Sequence, residues 1–296
     1  MKTIPVTGKF LHYTLLLSVV LVNGRVAHQV FLCAVIFGFL LPVVQAQPFD
    51  VPYVPTTFEV VDKMLEVAGV GPGDYLIDLG SGDGRIVIAA ALKGAYSHGV
   101  DINPVRIREA NENAKRAGLN EQVVFVEGNI FETDISHASV VTMYLLSSVN
   151  LKLRSTLLEK LKPGSRVVSH DFDMKEWNPD KFFMVNEDRV YFWIIPARVR
   201  GQWKWKTANR EFSMLARQEF QELDLKISAG NTELAVEKPV LAGERISFRA
   251  IDQTGKVSYN FSGHVDGKII TGTVQIHQQG VKAMEDWKAE RKENDE

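Results

Sequence analysis

The chain has 296 residues, of which 45% are hydrophobic and 24% charged, a composition typical of an ordinary folded protein. Its formal net charge of −2 gives no global attraction to nucleic acid. The only cysteine, Cys33, lies in an apolar N-terminal region. Disulfides, thiolate zinc sites and cysteine nucleophiles are therefore excluded from a folded part that begins near residue 47.

The first 46 residues have the pattern of an export or anchoring segment. Basic residues precede an uncharged run over 30–44, and Val44-Gln45-Ala46 supplies the small residues that a signal peptidase accepts. A second apolar run covers 11–22, and both runs are shorter than the ~20 residues that span a bilayer easily. We expect a signal peptide or membrane anchor over 1–46, membrane contact through it, and a membrane-associated or exported, periplasmic protein. Insertion of both runs would instead leave the folded part on the cytoplasmic face.

Strands and helices alternate in the next part of the chain. Apolar residues at helical spacing predict a first helix from Thr56 to Ala68, with Thr56 and Thr57 placed to cap it. Further strands are predicted at 75–79, 96–101, 122–127, 138–145 and 165–171, and further helices at 84–93, 104–117 and 148–162. This alternation predicts an α/β fold, a Rossmann-like doubly wound, mostly parallel sheet with ligand sites at the carboxyl ends of its strands.

The helical pattern stops before Pro196. Two apolar runs around the polar Asn186-Glu187-Asp188-Arg189 predict a hairpin. Short alternating runs then recur from 201 to 277, and Asp266-Gly267 is a hairpin signal, so a small all-β antiparallel sandwich or barrel is expected. The resulting assignment is an α/β domain at 50–198, a β-rich accessory domain at 199–280, and a charged tail, expected as a frayed helix, at 281–296.

The turn after the first predicted strand of the α/β part, Asp78-Leu79-Gly80-Ser81-Gly82-Asp83-Gly84-Arg85, is the most informative motif. Three glycines at alternate positions let the backbone approach a ligand closely. The G-x-G-x-G spacing is one residue shorter than the pyrophosphate-binding G-x-G-x-x-G, which disfavours NAD and FAD. Asp101 ends the second strand, where doubly wound folds place an acid against ribose hydroxyls. The pattern indicates a nucleoside with a cationic tail.

From about Tyr53 to Pro196 the chain resembles the class I S-adenosylmethionine-dependent methyltransferases. The resemblance implies S-adenosylmethionine as cofactor, with the glycine loop under its methionyl part and Asp101 on its ribose. Asn129 falls where the family usually reads adenine with an aspartate. A narrower resemblance is to the membrane-anchored lysine N-methyltransferase family of mitochondria and its bacterial relatives. It rests on Val54-Pro55-Thr56-Thr57 and on the sequence DLGSGDGRIVIAAA. The cofactor-binding residues that this implies are Asp78, Gly80, Ser81, Gly82, Gly84, Asp101 and Asn129.

Methyl transfer from a sulfonium needs donor and acceptor in line, and a base only when the acceptor arrives protonated. The catalytic candidates at the strand ends are Tyr144 and the pair His170-Asp171; the alternatives are a packed tyrosine and a polar strand-end network. Because strand neighbours point to opposite faces, at most one of His170 and Asp171 is expected to face the pocket. No metal is expected. Asp83 and Arg85 either pair on the surface or contact the methionyl carboxylate.

These patterns lead us to expect an S-adenosylmethionine-dependent methyltransferase whose acceptor is a protein lysine, carried by a membrane or envelope protein. The fourth strand lacks an Asn/Asp-Pro-Pro-aromatic motif, so a base nitrogen is a poor acceptor and no nucleic-acid partner is expected. Two alternatives stay open. One is a small-molecule methyltransferase, and the other is a non-catalytic nucleoside-binding or adaptor protein of the cell envelope.

Overall fold

The computed structural model describes residues 53–207 and 210–292, which belong to one compact unit. The first part alternates helices and strands. Its elements are α1 (Phe58–Val67), β1 (Tyr75–Leu79), α2 (Arg85–Leu92), β2 (Tyr96–Asp101), α3 (Pro104–Arg116), β3 (Val123–Glu127), β4 (Val140–Met143), α4 (Ser147–Lys160), β5 (Arg166–His170), β6 (Lys181–Val185) and β7 (Asp188–Ile194). The predicted alternation is confirmed, including the final hairpin.

The seven strands form one sheet in the order β3-β2-β1-β4-β5-β7-β6. Strands β1 to β5 run parallel, whereas β7 is antiparallel to both β5 and β6. The strand order reverses between β1 and β4, and a doubly wound sheet opens a crevice at such a point, outside the carboxyl ends of its strands. The end of β1 and the end of β4 therefore flank the expected ligand site.

Both faces of this sheet are buried under helices. Ile77, Val141 and Val167 face the side covered by α4, which contributes Leu153 and Leu157 to the same core. On the opposite face, Leu76, Val140 and Val168 pack in one core with residues of α1 and α2. Strands buried on both faces need nearly continuous apolar sequence. This explains why short apolar runs marked each strand in the sequence.

The second part of the chain is a closed antiparallel barrel of eight strands. Its strands are β8 (Gly201–Thr207), β9 (Arg210–Glu219), β10 (Glu222–Ala229), β11 (Thr232–Ala242), β12 (Arg245–Ile251), β13 (Val257–Asp266), β14 (Ile269–Gln278) and β15 (Val281–Arg291). Aromatic rings fill the interior: Trp205 stacks on Phe212 at 5.3 Å between centroids, and Phe261 and Trp287 pack edge-on at 5.1 Å. The expected α/β sheet followed by an antiparallel β domain is confirmed.

The prediction of a charged tail at 281–296 is wrong for residues 281–291. These residues form β15, which closes the barrel against β8. Trp287 and Ala289 point into the core, while the charged residues between and around them point outward. A high content of charged residues hid this two-residue period in the sequence. Residues 293–296 lie outside the described residues.

The barrel is joined to the amino-terminal side of β5. The Ala197 N–H donates to the Gly243 carbonyl at 2.8 Å, and Gly243 lies tightly against Gly164, which precedes β5. The Phe220 ring stacks on Trp177 in the loop between β5 and β6, with 6.0 Å between centroids. These contacts lie away from the carboxyl ends of the strands, so the barrel leaves that edge of the sheet free.

The predicted localisation needs correction. Within 53–207 and 210–292, no helix has the length and apolar character needed to cross a membrane. The segment 1–46, on which the predicted signal peptide, membrane contact and exported location depended, lies outside the described residues. Membrane association and export therefore have no support in the structure.

The pairing of β13 with β14 in the barrel can be tested at Gly272 in β14. A Cβ at this position would overlap the Ser262 carbonyl oxygen and the Gly263 Cα, which are backbone atoms that cannot move aside cheaply. We expect Gly272→Ala to destabilise the protein by about 2 kcal/mol or more in denaturant unfolding. Gly71→Ala is the matched control, since nothing lies within 4 Å of a Cβ there. Equal stability of the two variants would show that β13 and β14 pack less tightly at Gly272 than the structure indicates.

Candidate active site at the carboxyl edge of the sheet

The glycine loop joins β1 to α2 and bends through three left-handed residues. Gly80, Gly82 and Gly84 have φ values of 83°, 52° and 80°. A Cβ on Gly84 would lie 2.5 Å from the Phe125 ring, so this glycine is required by packing. The nearest atoms to a Cβ on Gly82 all belong to the ring of Tyr53, which is 44% exposed. Gly82 is itself buried beneath this half-exposed ring.

Asp101 connects the end of β2 to this loop. One carboxylate oxygen accepts the Gly82 N–H at 2.9 Å, and the other accepts the Asn103 N–H at 2.8 Å. A carboxylate offers about four acceptor positions. Asp101 therefore keeps capacity for two further donors, such as the hydroxyls of a ribose.

Asp78 ends up buried beneath the loop. Its carboxylate accepts the Thr142 hydroxyl of β4 at 2.7 Å. Burial raises the pKa of Asp78 to about 7; the Thr142 hydrogen bond opposes this, and the nearby charges of Asp101 and Asp83 reinforce it. A bound cation would favour the ionised form, which suits a ligand with a positively charged tail.

Ser81 and Asn129 are the predicted cofactor residues with the least direct support. The Ser81 hydroxyl is buried against β2 beside Gly99 and has no hydrogen-bond partner within the described residues. The Asn129 side chain accepts the Phe131 N–H at 3.0 Å and donates to Glu132 at 2.9 Å, so it shapes the turn after β3. Roles for both in cofactor binding remain predictions.

The segment before α1 lies across the glycine loop. The Arg106 guanidinium sits 4.5 Å from the centroid of the Tyr53 ring, and Arg85 donates to the Thr56 carbonyl at 2.6 Å. Arg85 also pairs with Asp83 at 2.5 Å, so this pair anchors the segment.

The Thr56 hydroxyl lies 3.1 Å from the His170 ring. The expected helix cap is wrong: Thr57 holds the cap position but makes no side-chain cap bond, and Thr56 turns toward the strand ends.

Tyr144, His170 and Asp171 come together at the ends of β4 and β5. The Tyr144 ring packs on the His170 ring with 3.8 Å between centroids, and its hydroxyl lies 3.4 Å from the Asp171 carboxylate. The expectation that at most one of His170 and Asp171 faces the pocket stays a prediction, but the strand alternation on which it rested does not extend to Asp171. Asp171 has a left-handed φ of 59°, which breaks the alternation of the strand and brings its carboxylate 3.6 Å from His170 Nε2.

Asp188 also lies in this cluster, which the sequence did not reveal. It begins β7 and places its carboxylate 3.6 Å from His170 Nε2, because β7 pairs with β5 next to His170. In the sequence it is one of several charged residues in a hairpin turn, with nothing to mark it. The His170, Asp171 and Asp188 ligand atoms lie within 4.8 Å of one another, so these three residues could also hold a metal ion.

Burial sets the charge state of this cluster. It lowers the pKa of His170 below its usual value, although Asp171 and Asp188 act in the opposite direction. Burial also raises the pKa of the Tyr144 phenol, and the Asp171 charge adds to that shift. Near neutral pH the cluster therefore presents a neutral imidazole and a neutral phenol beside two carboxylates.

The seven-stranded order with an antiparallel β7, the glycine loop and the acid that ends β2 together define a class I S-adenosylmethionine-dependent methyltransferase. The residues present fit that cofactor: only the ring of the half-exposed Tyr53 covers Gly82, Asp101 keeps free acceptor positions, and Asp78 supplies a buried carboxylate for a cationic tail. Comparison with known proteins makes the assignment more specific.

The model of the ANTKMT methyltransferase domain matches residues 78–181. A protein-lysine N-methyltransferase of Saccharolobus islandicus is 48% identical over 153 residues, which are 49% of this chain and 94% of the relative. An adenine nucleotide translocase lysine N-methyltransferase of Mus musculus is 34% identical over 147 residues, covering 49% of this chain and 64% of the relative. The chain belongs to this family of protein-lysine N-methyltransferases.

Among solved structures, an RNA methyltransferase from Salinibacter ruber in complex with S-adenosyl-L-homocysteine is 54% identical, with a TM-score of 0.49. The match covers 49% of this chain and 96% of that one. A TM-score at this level supports no inference about the substrate.

The ribose assignment is tested at Asp101. Charge-assisted hydrogen bonds contribute about 1.5–3 kcal/mol each, so Asp101→Ala is expected to weaken S-adenosylmethionine binding about tenfold or more in calorimetry. Asp101→Asn keeps the shape and one acceptor oxygen, and an intermediate loss is expected. Glu121→Ala removes an exposed carboxylate beyond α3 and serves as the control. Native affinity in a folded Asp101→Ala variant would remove the ribose assignment.

The raised pKa of Asp78 predicts a distinct pH dependence of stability. Below about pH 4 this carboxyl is protonated in both the folded and unfolded states and costs nothing. Between about pH 4 and pH 7 the unfolded chain releases the proton first, so the ligand-free protein loses stability as the pH rises, on the order of a few kcal/mol.

Asp78→Asn removes the ionisable group and with it this pH-dependent loss of stability. Its free energy of unfolding relative to the unsubstituted protein should increase between pH 4.5 and pH 7.5, in urea titrations without cofactor. A difference that does not change with pH would contradict the burial of an ionisable Asp78.

Proposed function

We propose that this protein methylates the ε-amine of a lysine in a protein acceptor, and that Tyr144, His170, Asp171 and Asp188 receive that amine. The observation that carries the proposal is the position of the four side chains. They lie together at the carboxyl ends of β4 and β5 and at the start of β7. His170 also contacts the Thr56 hydroxyl, which belongs to the segment that covers the glycine loop. Membership of a protein-lysine methyltransferase family supports the same acceptor.

A lysine side chain is a cation near neutral pH, since its pKa is about 10.4, and it must lose a proton before it can attack a methyl group. The Asp171 and Asp188 carboxylates give the cluster the negative charge that attracts an ammonium group. Burial lowers the pKa of His170, so its imidazole is neutral near neutral pH, and the Asp171 and Asp188 carboxylates are the groups that favour its protonated form.

The contacts of His170 define a route for this proton. When the ring Nδ1–H donates to the Thr56 hydroxyl, Nε2 carries the lone pair and faces both carboxylates at 3.6 Å. Because Nε2 is buried, the ammonium group would contact the part-exposed Asp171 and Asp188 carboxylates, and its proton would pass through a carboxylate to Nε2, yielding an imidazolium that both carboxylates stabilise. Tyr144 packs on the ring and lies beside Asp171, which holds the imidazole and carboxylate together.

Bound S-adenosylmethionine supplies an electrophilic methyl group on a sulfonium. Asp101 would hold its ribose and Asp78 its cationic tail. The backbone at Gly82 would allow the ligand to approach closely. The amine-binding cluster lies at the ends of β4 and β5, adjacent in the sheet to the strand end that carries the glycine loop. This order places acceptor and donor at one edge, as an in-line displacement requires.

We further propose that residues 50–198 carry the complete cofactor and amine site, and that the barrel is an accessory domain. The family match over 78–181 lies within this part of the chain. The Saccharolobus relative is covered to 94% by about half of this chain, which supports a methyltransferase unit of that size.

The acceptor is tested by incubating the protein with S-adenosylmethionine that carries a radiolabelled methyl group and with a cell extract. After acid hydrolysis, we expect the label in methylated lysine. Label in RNA or in a small molecule would contradict the proposal.

Asp188→Asn and His170→Ala should each reduce kcat about tenfold or more, a typical effect of losing acid-base assistance, while S-adenosylmethionine binding stays near native. With the proton acceptor impaired, the activity of the variants should also shift toward higher pH. Glu187→Gln, at the exposed neighbour of Asp188, is the matched control and should leave activity unchanged.

A further inference from the structure

The strand β15 is paired along its whole length on one side only. Its ladder with β14 runs through ten residue pairs, from Ile269 opposite Glu290 to Gln278 opposite Val281. On its other side, only residues 289–291 pair with β8. Because β8 continues to Thr207, which this register places opposite Trp287, the free backbone edge within the described chain is limited to residues 281–286.

Two features of this edge favour pairing with another chain. The segment 281–286 contains no proline, and its ladder with β14 is continuous and without a bulge. Val281 is 67% exposed and Met284 is 69% exposed. A long regular edge with exposed apolar residues readily accepts a further strand.

The side chains of β15 are complementary to a second copy of themselves. Since Trp287 and Ala289 point into the barrel, Lys282, Met284 and Asp286 lie on the outer face. In an antiparallel pair of β15 strands centred on Met284, Lys282 of each copy faces Asp286 of the other. Met284 faces its own symmetry mate on the two-fold axis.

The charges pair in this register and disfavour the next one along the strand. Lys206 pairs with Glu211 at 2.6 Å and Lys288 with Glu290 at 2.9 Å, so two neighbouring lysines are already engaged. Lys282 and Asp286 form no ion pair within the described residues. A register shifted by two residues would place Lys282 opposite Lys288, and like charges directly opposite one another are destabilising.

We propose that β15 is a dimerisation edge, through which two copies of this chain join their barrels by antiparallel pairing centred on Met284. The interface is isologous, since each copy offers the same residues to the other. It lies on the barrel, which contacts the amino-terminal side of β5, and so it leaves the methyltransferase site out of the contact.

The test is sedimentation of the full chain over a concentration series from about 1 to about 200 µM, because a self-association equilibrium depends on protein concentration. We expect a reversible dimer. Lys282→Asp and Asp286→Lys should each weaken it about tenfold or more, since each places like charges opposite one another twice per dimer. The double variant Lys282→Asp/Asp286→Lys should restore the native affinity.

Lys226→Asp is the matched control, because it reverses an exposed charge on β10, on another strand of the barrel. Circular dichroism verifies that each variant is folded. A monomer over the whole series overturns the proposal, and so does a dimer that the double variant fails to restore. Amide-exchange protection of residues 281–286 in a monomer would show instead that another part of the chain covers the edge, which overturns the proposal.

Discussion

The hydrogen bond from the Gly82 N–H to the Asp101 carboxylate is the interaction on which the site depends. It joins the loop that follows β1 to the end of β2, two neighbouring parallel strands whose own ladder stops just before this point. Because the same carboxylate also accepts the Asn103 N–H, the start of α3 is fixed to the same atoms. The loop backbone, Asp101 and the helix that follows it are thereby held in one geometry without a ligand.

The proposed amine site depends on the left-handed backbone conformation of one residue, Asp171. Asp171 has a left-handed φ, which costs a non-glycine residue free energy and persists only where surrounding contacts hold it. Here the Asp171 N–H donates to the Arg189 carbonyl at 2.7 Å and its carboxylate accepts the Arg189 N–H at 2.9 Å. These two bonds to β7 turn Asp171 toward His170, and the same strand brings Asp188. The antiparallel β7 therefore completes the proposed amine site as well as the sheet.

The two parts of the chain use different physical solutions. The α/β part buries apolar clusters on both faces of its sheet under helices and places the polar cluster of Tyr144, His170, Asp171 and Asp188 at the carboxyl edge. The barrel fills its interior with aromatic rings and keeps charges outside, with an edge left open where β15 extends past β8. Since the barrel attaches at the opposite end of β5 from the methyltransferase site, recognition of an acceptor by the barrel would require an acceptor long enough to reach both.

Local patterns in the sequence determined the order of strands and helices, the glycine loop, Asp78 and Asp101, because each depends on residues adjacent in the chain. The tertiary structure alone decided which distant residues meet. Asp188 joins His170 only through the pairing of β7 with β5, and Thr56 reaches His170 only because α1 packs across the sheet. Residues 281–291 became a strand because β14 and β8 give their backbone partners, while their charged composition alone suggested a tail. Composition and spacing describe what a segment is able to form, whereas the partner that satisfies its hydrogen bonds is fixed only by the complete fold.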